Sequence, residues 1–351
     1  MQRYEHGGDV YTNHGVKLDF SVNTNPLGLP LEIREALSSR IDEFTRYPDP
    51  SCRELRAAIA AHEKVPHEWI LCGNGAADII YRLCYAIKPK KALVCAPTFT
   101  EYERALEQVG SQVIYHFLTP DNGFDLTDEI IGRLDPTIDM LFLCHPNNPT
   151  GRLISTDLME RIVARARQTR TIVVVDECFL DFTRGESAKR FLADMPELCI
   201  LKAFTKIYAM AGLRLGYLLA SDKTLTKKTN AAAQCWSVSV PAQIAGVAAL
   251  SCEGWQDKTL DLIEEERSFL TENLEMLGIT VFPGDSNFLL LRSDYPLYEM
   301  LLEKGIMIRR CENFKGLDKS YYRISVKTRR ENLCLIEAIK GCCSRLADPA
   351  P

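Results

Sequence analysis

Five short runs between residues 92 and 201 are apolar from end to end: 92–96 (ALVCA), 113–115 (VIY), 140–144 (MLFLC), 172–175 (IVVV) and 198–201 (LCIL). A strand with one face in water alternates polar and apolar side chains. A run without that alternation has both faces covered. Segments of helical pattern lie between most of these runs. Strand and helix in repeated alternation build a parallel sheet with helices on both sides, so the expected class is α/β.

The pattern changes past residue 240. A long helical segment over roughly 254–277 leads to apolar runs near 288–291, 306–309 and 322–326, and a last helix is expected near 329–346. This reads as a smaller α+β domain. Residues 1–30 are rich in Gly, Asn and Pro and read as an irregular arm. Apolar residues at Leu31, Ile33, Ala36, Leu37 and Ile41 predict a helix from 31 to about 44. Pro48 and Pro50 break the chain just after it. The expected division is an arm over 1–30, a large domain over 31–240 and a small domain over 241–351, to which arm and first helix contribute.

With 351 residues, 46% hydrophobic and 25% charged, the chain has the composition of a globular enzyme. Lys plus Arg number 42 against 47 Asp plus Glu, for a net charge of −5, and no basic run stands out. Nucleic acid and anionic membranes are therefore not expected partners. The 13 cysteines are odd in number and scattered through apolar runs. The N-terminus is polar and lacks an apolar signal core, so a cytoplasmic protein with reduced thiols is expected. No apolar run reaches the roughly 18 residues of a membrane span. His62 and His67 suggest a zinc helix, but they are five apart with Pro66 between, and no metal is expected.

Asn148 lies in CHPNNPTG (144–151), Asp176 follows the run 172–175, and Lys206 lies in FTKIYAMAGLRLGY (204–217). The intervals are 176 − 148 = 28 and 206 − 176 = 30 residues, each the length of one helix plus one strand. All three then fall at strand ends of one parallel sheet, where ligands of open α/β sheets collect. Thr205 adjoins the lysine and Arg214 follows eight positions later (214 − 206). An amine beside a hydroxyl and a guanidinium suits a covalent bond to an aldehyde that carries a phosphate. Gly73-Asn74-Gly75-Ala76-Ala77-Asp78 follows an apolar stretch and opens a helix, so its backbone amides can hold a phosphate. A dinucleotide fingerprint would need a glycine where Asp78 stands, which disfavours a nicotinamide-dependent dehydrogenase.

These motifs together resemble the fold-type-I pyridoxal-phosphate (PLP) enzymes, the aspartate aminotransferase superfamily. Within it the chain is similar to histidinol-phosphate aminotransferases and to threonine-phosphate decarboxylases of cobalamin synthesis. Two stretches favour the decarboxylases: His6-Gly7-Gly8 with LDFSVNTNPLG (18–28), and DECFLDF (176–182). The resemblance implies a mostly parallel seven-stranded sheet plus a smaller C-terminal α+β domain. It makes Lys206 the residue bonded to PLP. It assigns the cofactor phosphate to Gly75, Ala76, Ala77, Thr205 and Arg214, ring stacking to Phe99, the pyridine nitrogen to Asp176 and the phenolic oxygen to Asn148. Aminotransferases of this kind usually add a tyrosine at position 179; here it is Phe179. Substrate contacts are expected from His6, Asn25, Asn148, Arg309 and Arg323, with Arg323 forked onto a carboxylate and Arg309, rather than Arg310, on a phosphate. Tyr47 is expected to reach the neighbouring subunit's cofactor phosphate, which implies a homodimer. The activity expected is decarboxylation of an amino-acid phosphate, foremost L-threonine O-3-phosphate, with histidinol-phosphate transamination as the alternative. A PLP-binding regulator without turnover would carry an extra DNA-binding domain, for which the chain has no room.

Overall fold

The computed structural model describes residues 6–347. Its centre is a seven-stranded sheet of β1 (Ile70–Gly73), β2 (Lys91–Ala96), β3 (Gln112–Phe117), β4 (Met140–Cys144), β5 (Ile172–Asp176), β6 (Leu198–Ala203) and β7 (Gly216–Ala220). The order is β1-β7-β6-β5-β4-β2-β3. Pairings among β2 to β6 are parallel, and β7 runs antiparallel to both neighbours. Residues 204–215 between β6 and β7 form two short helical turns, Phe204–Ile207 and Ala211–Leu213, instead of one crossover helix, and β7 returns antiparallel. The expected seven-stranded, mostly parallel α/β sheet is thus present.

The lack of alternation in the strands has the expected cause. Leu141, Val173 and Ile200 point into one buried core. Their neighbours Phe142, Val174 and Leu201 point into another on the opposite face. Every one is essentially inaccessible to water. Each such side chain contributes about 1.5–3 kcal/mol on burial, so both sheet faces must stay covered. The helix Thr156–Thr169, between β4 and β5, starts where Ser155 accepts the Leu158 N–H and stops at Arg170, which turns left-handed.

The second sheet is antiparallel: β8 (Thr280–Val281), β9 (Phe288–Arg292), β10 (Arg309–Arg310) and β11 (Tyr321–Ser325), in the order β10-β11-β9-β8. The helices Trp255–Met276 and Arg329–Ala347 belong to this part of the chain.

Two expectations are corrected. The first helix ends at Ser39, and the chain continues as a 3-10 turn over Ile41–Thr45 rather than as one helix to 44. The run 306–309 is not one strand. Ile306–Met307 pairs in parallel with Leu18–Asp19 of the arm, whereas Arg309–Arg310 joins β11, so one short stretch serves two sheets. The arm is therefore partly ordered by pairing. The helix Val240–Ala249 buries Ala242, Ala245 and Ala249 in the same core as Ile33, Leu55 and Ile59. Among the described residues no helix is long and apolar enough to cross a membrane.

Candidate active site

A cavity of about 460 Å³ opens at the carboxyl ends of β4, β5 and β6, where the arm and the second sheet meet the first. It collects His6, Ala76, Ala77, Phe99, Asn148, Asp176, Thr205, Lys206, Arg214, Arg309 and Arg323. Strand ends supply Asn148, Asp176 and Lys206 because β4, β5 and β6 lie side by side in parallel or follow directly into the next turn.

Lys206 sits in the single helical turn Phe204–Ile207 that closes β6. Burial pulls its amine down to about 8, the Arg323 and Arg214 charges act the same way, and Cys178 and Asp176 oppose them. A neutral, nucleophilic share is thereby present near neutral pH, roughly a tenth at pH 7. The ammonium also lies 5.7 Å from the centre of the Phe179 ring, a contact with a π face where a tyrosine would carry a hydroxyl.

Asp176 is buried and its carboxylate is fixed from two sides. Tyr102 donates its hydroxyl to Oδ2 at 2.6 Å, and the Cys178 N–H donates to Oδ1 at 3.0 Å. Tyr102 is itself locked by stacking on Phe142 at 4.9 Å and by an edge contact with Phe99 at 5.6 Å. A fixed anion of this kind suits a protonated ring nitrogen. Cys144 and Cys178 complete the wall around it.

The helix Ala76–Ile87 begins at Gly75, whose φ is +83°, and no side chain caps its first turn. Its first amides are thus available to an anion. Asp78 does not disturb this. Its carboxylate pairs with Arg82 and accepts the Asn74 N–H at 2.8 Å. Gly75 is required on two counts, because a Cβ there would also meet Arg214 Nη2 at 2.7 Å. Ala76, Thr205 and Arg214 therefore converge on a cradle of phosphate size. Together the nucleophilic lysine, the fixed anion, the cradle and the Phe99 ring fit PLP.

At the other end of the cavity, Arg309 and Arg323 are directly opposed on β10 and β11. Arg323 donates Nη2 to the Ser21 carbonyl at 2.8 Å and Nη1 to Asn148 Oδ1, while its Nε is buried without a partner. Burial lowers its guanidinium to about 10. Arg309 donates to Asn313 at 2.7 Å, and Arg310 turns outward toward Glu299. His6 meets Glu101 at 2.9 Å at the mouth of the cavity.

Two expected residues lie elsewhere. Asn25 is corrected from a substrate contact to a tether: it does not line the cavity, its amide donates to the Ile207 carbonyl and to Thr259, both at 2.8 Å, and its Oδ1 accepts the Leu27 N–H at 3.0 Å. Asn23 lines the cavity instead, and both its amide atoms are buried without a hydrogen-bond partner. Tyr47 is outside this cavity, largely exposed and stacked on Trp236 at 4.3 Å. Tyr102 was also missed: it lies on the helix Glu101–Gln108, just past Phe99, and its partner Asp176 is 74 positions away. Among the described residues no cluster of His, Cys, Asp or Glu could hold a metal ion.

The family model for aminotransferase class I and II matches residues 16–339. A threonine-phosphate decarboxylase of Salmonella typhimurium is 38% identical over 354 residues, covering 97% of each chain. The crystal structure of the histidinol-phosphate aminotransferase from Clostridium acetobutylicum superposes with a TM-score of 0.87 at 30% identity, over 93% of this chain and 99% of that one. The L-threonine-O-3-phosphate decarboxylase from Porphyromonas gingivalis superposes with a TM-score of 0.84 at 26% identity, over 93% and 99%. With an apolar parallel sheet that delivers an amine, a carboxylate and an amide to one PLP-shaped cavity, the chain belongs to the aminotransferase class I and II family of PLP-dependent enzymes of fold type I.

Proposed function

We propose that this chain decarboxylates an amino-acid phosphate, foremost L-threonine O-3-phosphate, to the corresponding amino-alcohol phosphate of cobamide synthesis. The observation that carries this reading is the opposed pair Arg309 and Arg323 in one cavity with Lys206. Two guanidinium groups on adjacent strands suit one small substrate with two anionic ends. The likeness to the decarboxylases of Salmonella typhimurium and Porphyromonas gingivalis supports it.

The residues divide the work. PLP, when bound, supplies the electron sink that makes a bond at Cα breakable. Thr205, Arg214 and the amides from Ala76 onward hold its phosphate, and Phe99 covers its ring. Asp176, held by Tyr102 and Cys178, keeps the ring nitrogen protonated. Arg323 grips one end of the substrate and Arg309 the other, which fixes its orientation in the cavity. Held in that way, the substrate would lose its carboxylate as CO2, and the Lys206 ammonium would return a proton to Cα. His6 and the arm close the mouth against water. We further propose that Tyr47, which is free of this cavity, serves the site of a second copy in a homodimer.

Histidinol-phosphate transamination is the second reading, favoured by the superposition with the Clostridium acetobutylicum enzyme. One pair of assays separates them. Incubation with L-threonine O-3-phosphate is expected to release CO2. Glutamate formed from histidinol phosphate and 2-oxoglutarate, without CO2 from threonine phosphate, overturns the proposal.

A further inference from the structure

A second cavity, of about 280 Å³, lies on the far side of β1 and contains two cysteines that the reaction does not use. Cys52 and Cys72 both line it, with Arg56, Lys223 and Lys227 around them. Cys72 is the third residue of β1, and Cys52 stands immediately before the helix Arg53–Glu63. They share this one cavity, and each thiol is the largest influence on the other's ionisation. We propose that Cys52 and Cys72 are a redox modification site, a thiol pair that a hydroperoxide converts to a disulfide.

The chemistry fits the surroundings. Cys52 stands at a helix start, whose dipole favours an anion even though Asp49 already accepts the Arg53 N–H at 2.9 Å. Its thiol is shifted down, first by the Cys72 thiol and then by the Arg56 and Arg82 charges, against burial and Asp49. Cys72 is shifted up by Cys52 and by burial, so it stays a thiol. This makes Cys52 the attacking sulfur and Cys72 the resolving one. The Cys52 thiolate attacks the peroxide O–O bond and becomes a sulfenic acid, and the departing oxygen takes the proton that Cys52 gave up. The Cys72 sulfur then displaces the sulfenic oxygen, which leaves as water with the Cys72 proton. Two thiols lose two electrons, and the peroxide gains them to give an alcohol, or water, plus water.

The pair lies where a new bond would be felt. One residue after Cys72, Gly73 pairs with Gly216 at the end of β1. Gly216 packs so closely that a Cβ there would meet the Ala76 nitrogen at 2.6 Å. The helix after Cys52 carries Glu63, which accepts a hydrogen bond from Tyr217, the residue opposite Cys72 on β7. A cross-link would therefore join two elements that already meet behind the phosphate cradle.

Hydrogen peroxide, added to the native holoenzyme in a few-fold excess, tests this. Thiols are then blocked, the protein is digested without reductant, and peptides are weighed. The expected result is a Cys52–Cys72 linked peptide that dithiothreitol splits, formed at least tenfold faster than oxidation of the exposed Cys235. Cys72→Ser is expected to stop at a sulfenic acid on Cys52, trapped by a dimedone tag. Oxidation of Cys235 and Cys334 while Cys52 and Cys72 remain thiols overturns the proposal, and the unmodified chain gives this answer even if the variant does not fold. A linked peptide joining either cysteine to a different partner overturns it as well.

Discussion

Lys206 carries the sharpest expectations at the scale of single residues. Its amine titrates near 8, so capture of added PLP should quicken about tenfold per pH unit below 8 and level off above it. Stopped-flow absorbance of the lysine-bound cofactor checks this; a rate flat from pH 6 to 9 contradicts it. Lys206→Ala should abolish the borohydride-fixed adduct and lower turnover at least about 100-fold, the usual share of one proton-transfer group. Tyr102→Phe keeps the stacked ring and removes one donor from Asp176. A hydrogen bond to a charged group is worth about 1.5–3 kcal/mol, so cofactor affinity should fall by roughly 10- to 100-fold while the melting temperature moves little. Fluorescence titration with PLP decides it. Sequence carried the lysine and aspartate because each ends an apolar strand and so had one place to go. It could not carry Tyr102, whose partner is 74 positions away, or choose Asn23 over Asn25. Both asparagines lie in an arm without the regular periodicity that assigns a face.

Elements are held together beneath the site by a buried charge cluster that pattern reading did not disclose. Glu63, the last residue of its helix, accepts bonds from Lys202 on β6 at 2.9 Å, Lys189 at 2.6 Å and Tyr217 on β7 at 2.5 Å. Burial opposes the ionised form of Glu63, but Lys202, Lys189 and Tyr217 outweigh it and hold the carboxyl down to about 2. Because the folded state lowers this group below its unfolded range near 4.3, its contribution is complete above that value and drains away as pH falls toward 2. Glu63→Gln removes one of the two carboxylates paired with Lys202, Asp181 remaining at 3.7 Å, and should cost about 1.5–3 kcal/mol at pH 7. Denaturant melts at pH 7 and pH 3 test both statements: the gap between parent and variant must narrow in acid. The alternation of strand and helix was readable here because apolar runs report burial on two faces. Glu63 itself looked like an ordinary polar helix end, since its partners come from distant strands.

For the whole molecule, the arm is the part that completes the cavity. The Ser325 N–H donates to the Phe20 carbonyl at 2.8 Å, and Arg323 donates to Ser21. Gly7 packs so near Ser21 that a Cβ would come within 2.2 Å of its carbonyl oxygen. Gly7→Ala should therefore push the arm from Arg323 and lower kcat/KM by at least tenfold, with the circular dichroism spectrum unchanged. An active variant with parent kinetics would show that the arm is dispensable. The division of labour between two sheets was visible in the chain as a change of pattern near residue 240. The thread that stitches them was not, because a two-residue strand such as Leu18–Asp19 is too short to show a period.

The bond from Arg323 to Ser21 spans 302 positions. During synthesis the arm is made well before Lys206, and its partner strand β11 well after it. Between the making of β7 and of β11, then, the nascent polypeptide holds an amine, a carboxylate and a phosphate cradle with no means of gripping a substrate. Recognition waits for β11, so a product terminated before Tyr321 is expected to lack the grip on the substrate even where the cofactor residues are all present.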